Sequence, residues 1–548
     1  MKKSVVGFLF ALFLSVAAFG QTVQEGVNHL YAQRYQSARS LFQKLLSANP
    51  NNIEANYWLG QTLLAEKKVA EARDVYQKAL AASNNAPLLV AGMGGVSLFE
   101  GKKAEALQQF ETAINASKGR KGNDPNILNA VGRAIVEAHL NTKEKHGDID
   151  YAIAKLTEAS QLAPNNPDIF LNLGNAYRAK TGHGGHAVVN YMKAKQLNPS
   201  FAVAPYRMAL LYKTQVKEQY PDQWGNVLEN LNNAVAADPK FAPAYFELYY
   251  YYLLSKRDFA TADTYASKYI SSTDPGVQND YIKAQTDWLQ GKFTETANTL
   301  KNILAQTNNN PPITKVYRLM AHTQMSLKDT ASACEYINQF FAKANEDDIV
   351  AADWIIHAQS CGRSNPDIMR ADIIKAIELD TVVSEKISTL RDFAKGARKA
   401  EQRLLEAELG LMALKLEAGE GNPIRLITDV SVPYYFAATS LKSFDDAKVL
   451  LLKSDSAARA YATLAPDSIY GWQWSARALN AIDTSLEQGL PVPSYEKVLE
   501  VSGRDKVKYR SQGISAAQVL AIYHYNVKND MNAALGYAKK GLEFDPNH

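Results

Sequence analysis

A spacing of 34 residues, kept through three consecutive copies, constrains this chain more than any other feature. Gly26, Gly60 and Gly94 lie 34 apart, and so do Ala38, Ala72 and Ala106. Phe42, Tyr76 and Phe110 put an aromatic ring at the same step, and Leu45, Ala79 and Ala113 follow them. Within each copy the glycine precedes the alanine by 12 residues. Self-similarity of this kind marks a unit stacked along a line rather than a single compact core. Apolar residues at helical spacing make both halves of the unit helical. A glycine inside a helix costs about 1 kcal/mol against alanine. Its retention predicts a close approach of the two helices, with the aromatic ring filling the space beside it.

At 548 residues the chain has room for many such units, and far more than one core serves. Hydrophobic content of 46% and charged content of 21% argue against wholesale disorder. A net charge of +4, part of it at Lys2 and Lys3, is too small a bias to predict a nucleic-acid partner or an anionic membrane surface.

The pattern Trp58-Leu59-Gly60, then Ala72, Tyr76 and Ala79, with Pro50 closing the first copy, resembles the tetratricopeptide repeat family. That resemblance implies an all-α fold, a right-handed α-solenoid of stacked helix–turn–helix repeats. Proline-bearing joins at Ala48–Asn52, Ala163–Pro167, Leu197–Ser200 and Ala237–Lys240 fit boundaries between helices. Further copies carry longer turns. Gly132 pairs with Ala152 across Asn141–Asp150, and Gly174 with Ala187 across His183–His186. Ala209 pairs with Leu231 and Ala234 across KEQYPDQW, and a seventh unit, rich in tyrosine, runs from Ala244 to Tyr269. Beyond Pro275 the motif fades while helical periodicity continues, and ITDVSVPYY stays ambiguous between helix and strand. Asn529–Asn547 again reads as the second helix of a repeat. Because arrays usually close with an extra polar helix, the final apolar face is either polar enough alone or covered by a partner or second copy.

The first twenty residues read as a secretory signal: Lys2 and Lys3, the apolar run Val5–Leu14, then Ala18-Phe19-Gly20 before Gln21. No cysteine stands at the cleavage point, so a lipoprotein is not expected, and no later run is long enough to span a bilayer. The expected organisation is a signal peptide at 1–20, an N-terminal array at 21–312 and a C-terminal repeat-like array at 313–548, jointed near Asn308–Ile313.

In the family the first helices line a concave groove that binds peptides or partner helices. Carried over by register, the resemblance places Tyr57, Gln61, Asn129, Arg133, Asn175, Arg178, Tyr206, Lys213, Phe246 and Tyr250 on that surface. Such a groove has a polar, basic centre and an aromatic far side. Asparagine can pair with both an N–H and a C=O of an extended peptide, and arginine can grip a carboxylate. Gln61 and Gly95 depart from a full carboxylate clamp. The alternative is a solvated polar face.

No residues nominate catalysis or a cofactor. His183 and His186 lack a third ligand at helical spacing, Gly92–Gly95 follows no strand, and hydrolase, zincin and C-x-x-C signatures are missing. Cys334 falls early in one predicted helix and Cys361 at the end of the next, so antiparallel packing brings them close. In an oxidising compartment that predicts a disulfide, the alternative being two buried thiols. The expected function is an exported, non-enzymatic scaffold that binds a protein or peptide partner, in the periplasm or outside the cell. Two alternatives stand: an accessory subunit of an envelope peptide- or glycan-handling enzyme, and a structural protein that self-assembles through its C-terminal end.

Overall fold

The computed structural model describes residues 23–546, except 217–222 and 418–419. The signal segment 1–20 and most of KEQYPDQW lie outside the described residues. Among those described, helices are the regular elements, apart from an isolated bridge between Gly119 and Gly122. They form an all-α solenoid in two compact units, divided between Lys292 and Phe293.

The first unit is a run of helix pairs. These are α1 (23–31) with α2 (Tyr35–Ala48), α3 (Ile53–Ala65) with α4 (Val69–Ala82), and α5 (Pro87–Phe99) with α6 (Lys103–Ala116). Next come α7 (Pro125–Asn141) with α8 (Ile149–Leu162), and α9 (Pro167–Ala179) with α10 (Gly184–Leu197). α11 (Val203–Lys213) with α12 (Gln223–Ala237) and α13 (Ala242–Tyr250) with α14 (Phe259–Ser272) complete the pairs, and α15 (Val277–Leu289) follows. Local chemistry starts and stops them. The side chains of Asn52, Asp124, Asp148 and Asn166 each accept a backbone N–H at a helix start, and Pro87, Pro125 and Pro167 occupy first helical positions. The turn inside a pair uses a left-handed residue at Gln33, Lys67 and Gly101, again 34 apart, with φ of 58°, 60° and 77°. Glycine fills only the third of these, although it alone carries no steric cost there.

Packing explains the conserved spacing of glycines along the chain. A Cβ on Gly60 would stand 2.1 Å from the Tyr76 ring, and one on Gly174 would stand 2.6 Å from the Tyr191 ring. Ala38, Ala72 and Ala106 are fully buried on the facing helices. The ring beside the glycine therefore occupies the volume that a side chain would need, and the helices from α1 to α9 share one apolar core. The YYYY stretch does face all round its helix. Tyr249 and Tyr251 are buried while Tyr250 and Tyr252 are half-buried, as α13 gives way to a π-helical turn at Tyr251–Lys256.

The second unit continues with α16 (Phe293–Gln306), α17 (Lys315–Ser326), α18 (Thr330–Lys343), α19 (Ala351–Ser360) and α20 (Pro366–Leu379). It ends with α21 (Val383–Lys399), α22 (Arg403–Leu416), α23 (Val432–Thr439), α24 (Phe444–Leu464), α25 (Ile469–Ile482), α26 (Val492–Arg504), α27 (Arg510–Asn526) and α28 (Met531–Leu542). Asn308–Ile313 is the α16–α17 connection. ITDVSVPYY is helical: a π-turn at Leu426–Ser431 runs into α23, and Pro433 sits in its first turn, where a missing N–H is tolerated. Cys334 near the start of α18 and Cys361 just past α19 are joined by a disulfide, with Cα atoms 5.0 Å apart. Gly513 meets the Phe544 ring as Gly60 meets Tyr76, so the repeat packing recurs at the C-terminal end. No helix of the described residues is long and apolar enough to cross a membrane.

Candidate binding site

The first unit curls until its N-terminal helices meet its later ones. The Tyr31 ring, at the end of α1, packs edge-on against Phe201 at 5.6 Å and Trp58 at 6.4 Å. Its hydroxyl donates to Asp168 at the start of α9. A second contact closes the turn. Asp274, in the loop after α14, accepts the Gln36 N–H at 2.8 Å and the Ser37 N–H at 3.2 Å, and the Ser37 hydroxyl at 2.5 Å. Arg34, the residue before α2, supplies no side-chain cap of its own. A carboxylate 237 positions away thus does the work of an N-cap and also meets the positive end of the helix dipole.

Inside this closed turn lies a buried polar lattice centred on Arg133. Its guanidinium pairs with Asp168, bonds the Tyr57 and Tyr31 hydroxyls at 3.3 and 3.2 Å, and lies 4.3 Å above the Trp58 ring. Asn129 donates to the same carboxylate at 2.6 Å, and Asn172 donates to Asn129 at 2.8 Å. Burial works against the Arg133 charge. Asp168 and the two phenol oxygens outweigh it and hold the Arg133 pKa well above its ordinary value. The charge of Arg133 is therefore spent within the fold.

Other residues expected in the groove also have internal partners. Gln61 donates to the Tyr76 hydroxyl at 2.9 Å, which itself donates to the Tyr57 carbonyl. Asn175 accepts from the Tyr191 hydroxyl at 2.8 Å. Exposed Lys213 pairs with Glu247 at 2.6 Å. Phe246 stacks edge-on to Tyr250 at 4.8 Å, and burial pushes the Tyr250 phenol up to about 12. Arg178 is half-buried, with no ion pair among the described residues. His183 and His186 stack on Tyr177, with ring centroids 6.2 and 5.1 Å away.

Two cavities flank the lattice, and Trp58 and Arg133 belong to the walls of both. The wider, of about 490 Å³, opens where α3, α7 and α9 begin. Tyr57, Asn129 and Arg133 line it, together with Asn28, Asn126, Asn166, Asn198 and Phe201. The smaller, of about 100 Å³, is lined by Gln61, Arg133, Asn175 and Tyr206, and by Tyr35, Glu137 and Arg207. Lys213, Phe246 and Tyr250 line neither. Sequence reasoning missed Tyr31, Asp168, Arg207 and Asp274. Asp168 had a signal: it follows Arg133 by 35 residues, about one repeat, as Glu247 follows Lys213 by 34 and Asp353 follows Arg318 by 35. Opposite charges one period apart on first helices become neighbours.

An α-solenoid of helix pairs, with glycine–ring contacts at the repeat's period, defines the class of protein. Family models bear on this directly. A tetratricopeptide repeat model matches residues 23–87 and a TPR repeat model matches residues 145–180. Residues 23–87 and 145–180 thus match tetratricopeptide repeats, in a chain whose fold is an all-α solenoid of helix pairs. No curated protein matches its sequence. Among solved structures, it is similar to the C-terminal part of a TPR repeat-containing protein from Cytophaga hutchinsonii, with 20% identity over 49% of this chain and 96% of that one, at a TM-score of 0.26. A tetratricopeptide repeat protein from Parabacteroides merdae shares 16% identity over 47% of this chain and 96% of its own, at 0.33. The APC/C hetero-tetramer Cut9–Hcn1 shares 13% over 95% of this chain and 93% of its own, at 0.32. With TM-scores below 0.5, these pairwise likenesses carry no functional inference. The fold itself is one that generally serves protein interaction rather than catalysis.

Proposed function

We propose that the protein is an exported, non-enzymatic scaffold that captures a protein or peptide partner at the asparagine-lined mouth of its first unit. The wider cavity carries this reading. Its rim offers the Asn126 and Asn198 amides, able to pair with both backbone groups of a peptide, beside the faces of Trp58 and Phe201. Export is supported by the charged start, apolar run and small-residue junction before Gln21.

The test is an envelope pull-down with the mature chain, Gln21–His548, beside an Asn126→Lys/Glu54→Lys variant of equal helicity. Both positions are exposed at the mouth, so the fold should tolerate the change. A partner held by the wild type and lost by the variant supports mouth recognition. Identical partners on both would overturn it and move recognition to another surface, as an enzyme accessory or a self-assembling protein would require. N-terminal sequencing of the protein from fractionated cells should begin at Gln21 in the exported fraction; an uncleaved cytoplasmic chain would overturn the export reading.

A further inference from the structure

A third cavity lies wholly within the second unit. It holds about 420 Å³, a volume in the range of small-ligand sites. Its walls come from the ends of α17, α19 and α21, the starts of α18 and α20, and the turn before α22. Half-buried Met325, Met369 and Phe393 make the apolar part. Gly396, inside α21, keeps the cavity wide. A Cβ there would meet nothing within 4 Å, so packing does not require this glycine as it requires Gly60. Two opposite charges stand exposed on the rim, Arg363 in the turn after α19 and Asp392 on α21. The ion pairs of this region join Arg370 to Glu408, Arg391 to Glu417 and Arg398 to Glu406. Arg363 and Asp392 make none among the described residues. The turn that carries Arg363 is fixed on both sides. Cys361 is bridged to α18, a Cβ on Gly362 would stand 2.9 Å from the Met369 backbone, and the Asn365 side chain caps α20. A charge presented from a fixed backbone leaves less order to be gained on binding.

We propose that this cavity binds a free α-amino acid with an aromatic side chain. The carboxylate pairs with Arg363, the ammonium group pairs with Asp392, and the ring enters between Met325, Met369 and Phe393. A ligand with one charge would satisfy one rim residue and set its charge beside the like charge of the other. A zwitterion satisfies both. Thioether sulfur and the phenylalanine ring both make specific contacts with an aromatic guest, which selects a ring over an aliphatic chain. The inference is independent of mouth recognition, because no residue of the wider cavity of the first unit lines this one.

Calorimetric titration of the mature chain, Gln21–His548, tests it. The probes are L-phenylalanine, phenethylamine, phenylpropanoate and L-alanine. L-Phenylalanine should bind saturably, and the two singly charged analogues should each bind about fivefold more weakly, the reach of one exposed ion pair. L-Alanine, which lacks the ring, should show no saturation. Arg363→Gln should bind phenylalanine no better than phenethylamine, and Asp392→Asn no better than phenylpropanoate. Both side chains are exposed, so the fold should tolerate either change. Gly396→Leu places a side chain in the open space of the wall and should abolish binding. Should that variant fail to fold, the charge variants and the analogue series still decide. The assignment is overturned if phenylalanine does not saturate at tens of millimolar, if both singly charged analogues bind as tightly as phenylalanine, or if a folded Gly396→Leu binds unchanged.

Discussion

Gly60 and Gly536 are both interior helix glycines, yet replacing each by alanine should have opposite effects. At Gly536 nothing lies within 4 Å of a new Cβ, so Gly536→Ala should stabilise the chain by about 1 kcal/mol through helix propensity alone. At Gly60 the Cβ would meet a Tyr76 ring that two hydrogen bonds hold in place. Overpacking of this kind costs about 1–3 kcal/mol, enough to reverse the gain. Urea unfolding of both variants checks the pair of signs. The same contrast separates two ion pairs one repeat long. Asp168→Ala strands a buried guanidinium and should cost about 3 kcal/mol or more. Lys213→Ala removes the exposed, solvated member of its pair and should cost under about 1 kcal/mol. Equal losses in the two would mean that the Arg133 lattice is no better insulated than the surface.

At the scale of an element, the entry to α2 is the place where local and distant structure meet. Asp274→Ala removes the acceptor for two backbone N–H groups and the Ser37 hydroxyl. It should cost about 1–2 kcal/mol. Hydrogen exchange should accelerate first in the opening turn of α2, not around Asp274 itself. Uniform acceleration would assign the loss to something other than capping. This contact was illegible in the sequence because it depends on how far seven helix pairs curl, and no residue near Arg34 announces it. The elements themselves were legible: asparagine and aspartate caps, prolines at first positions and the 34-residue step are short-range signals. The helical course of ITDVSVPYY was not, since β-branched residues and Pro433 are read as breakers unless the π-turn ahead of α23 is known.

Across the molecule, burial of phenols makes the fold sensitive to alkali. Burial lifts the Tyr206 phenol in the first unit to about 12, against about 10 when unfolded. Because the folded value is the higher, its contribution is intact below pH 10 and is lost as pH rises from 10 to 12, by roughly 2–3 kcal/mol. Tyr206→Phe removes the titrating hydroxyl while keeping the ring, and so isolates this effect. Denaturant stability of the variant should fall less steeply between pH 10 and 12 than that of the wild type. Parallel slopes would place the alkaline sensitivity elsewhere. Of the residues expected in the groove, Tyr57, Gln61, Asn129, Arg133, Asn175 and Tyr206 line one or other cavity, and Arg178, Lys213, Phe246 and Tyr250 line neither. The sequence did not carry which of them are consumed by each other, because Arg133 looks the same on paper whether it faces a ligand or Asp168.

The clasp between Asp274 and Ser37 also orders events in time. Each helix pair contacts mainly the next, so a nascent chain can settle pair by pair as it emerges. The opening turn of α2 waits longer than the Tyr31 and Tyr57 contacts do: its acceptor is made 237 residues later. Until Asp274 has been translated, the earliest pair to emerge remains the least finished, and the last act of folding in this unit is performed at its beginning.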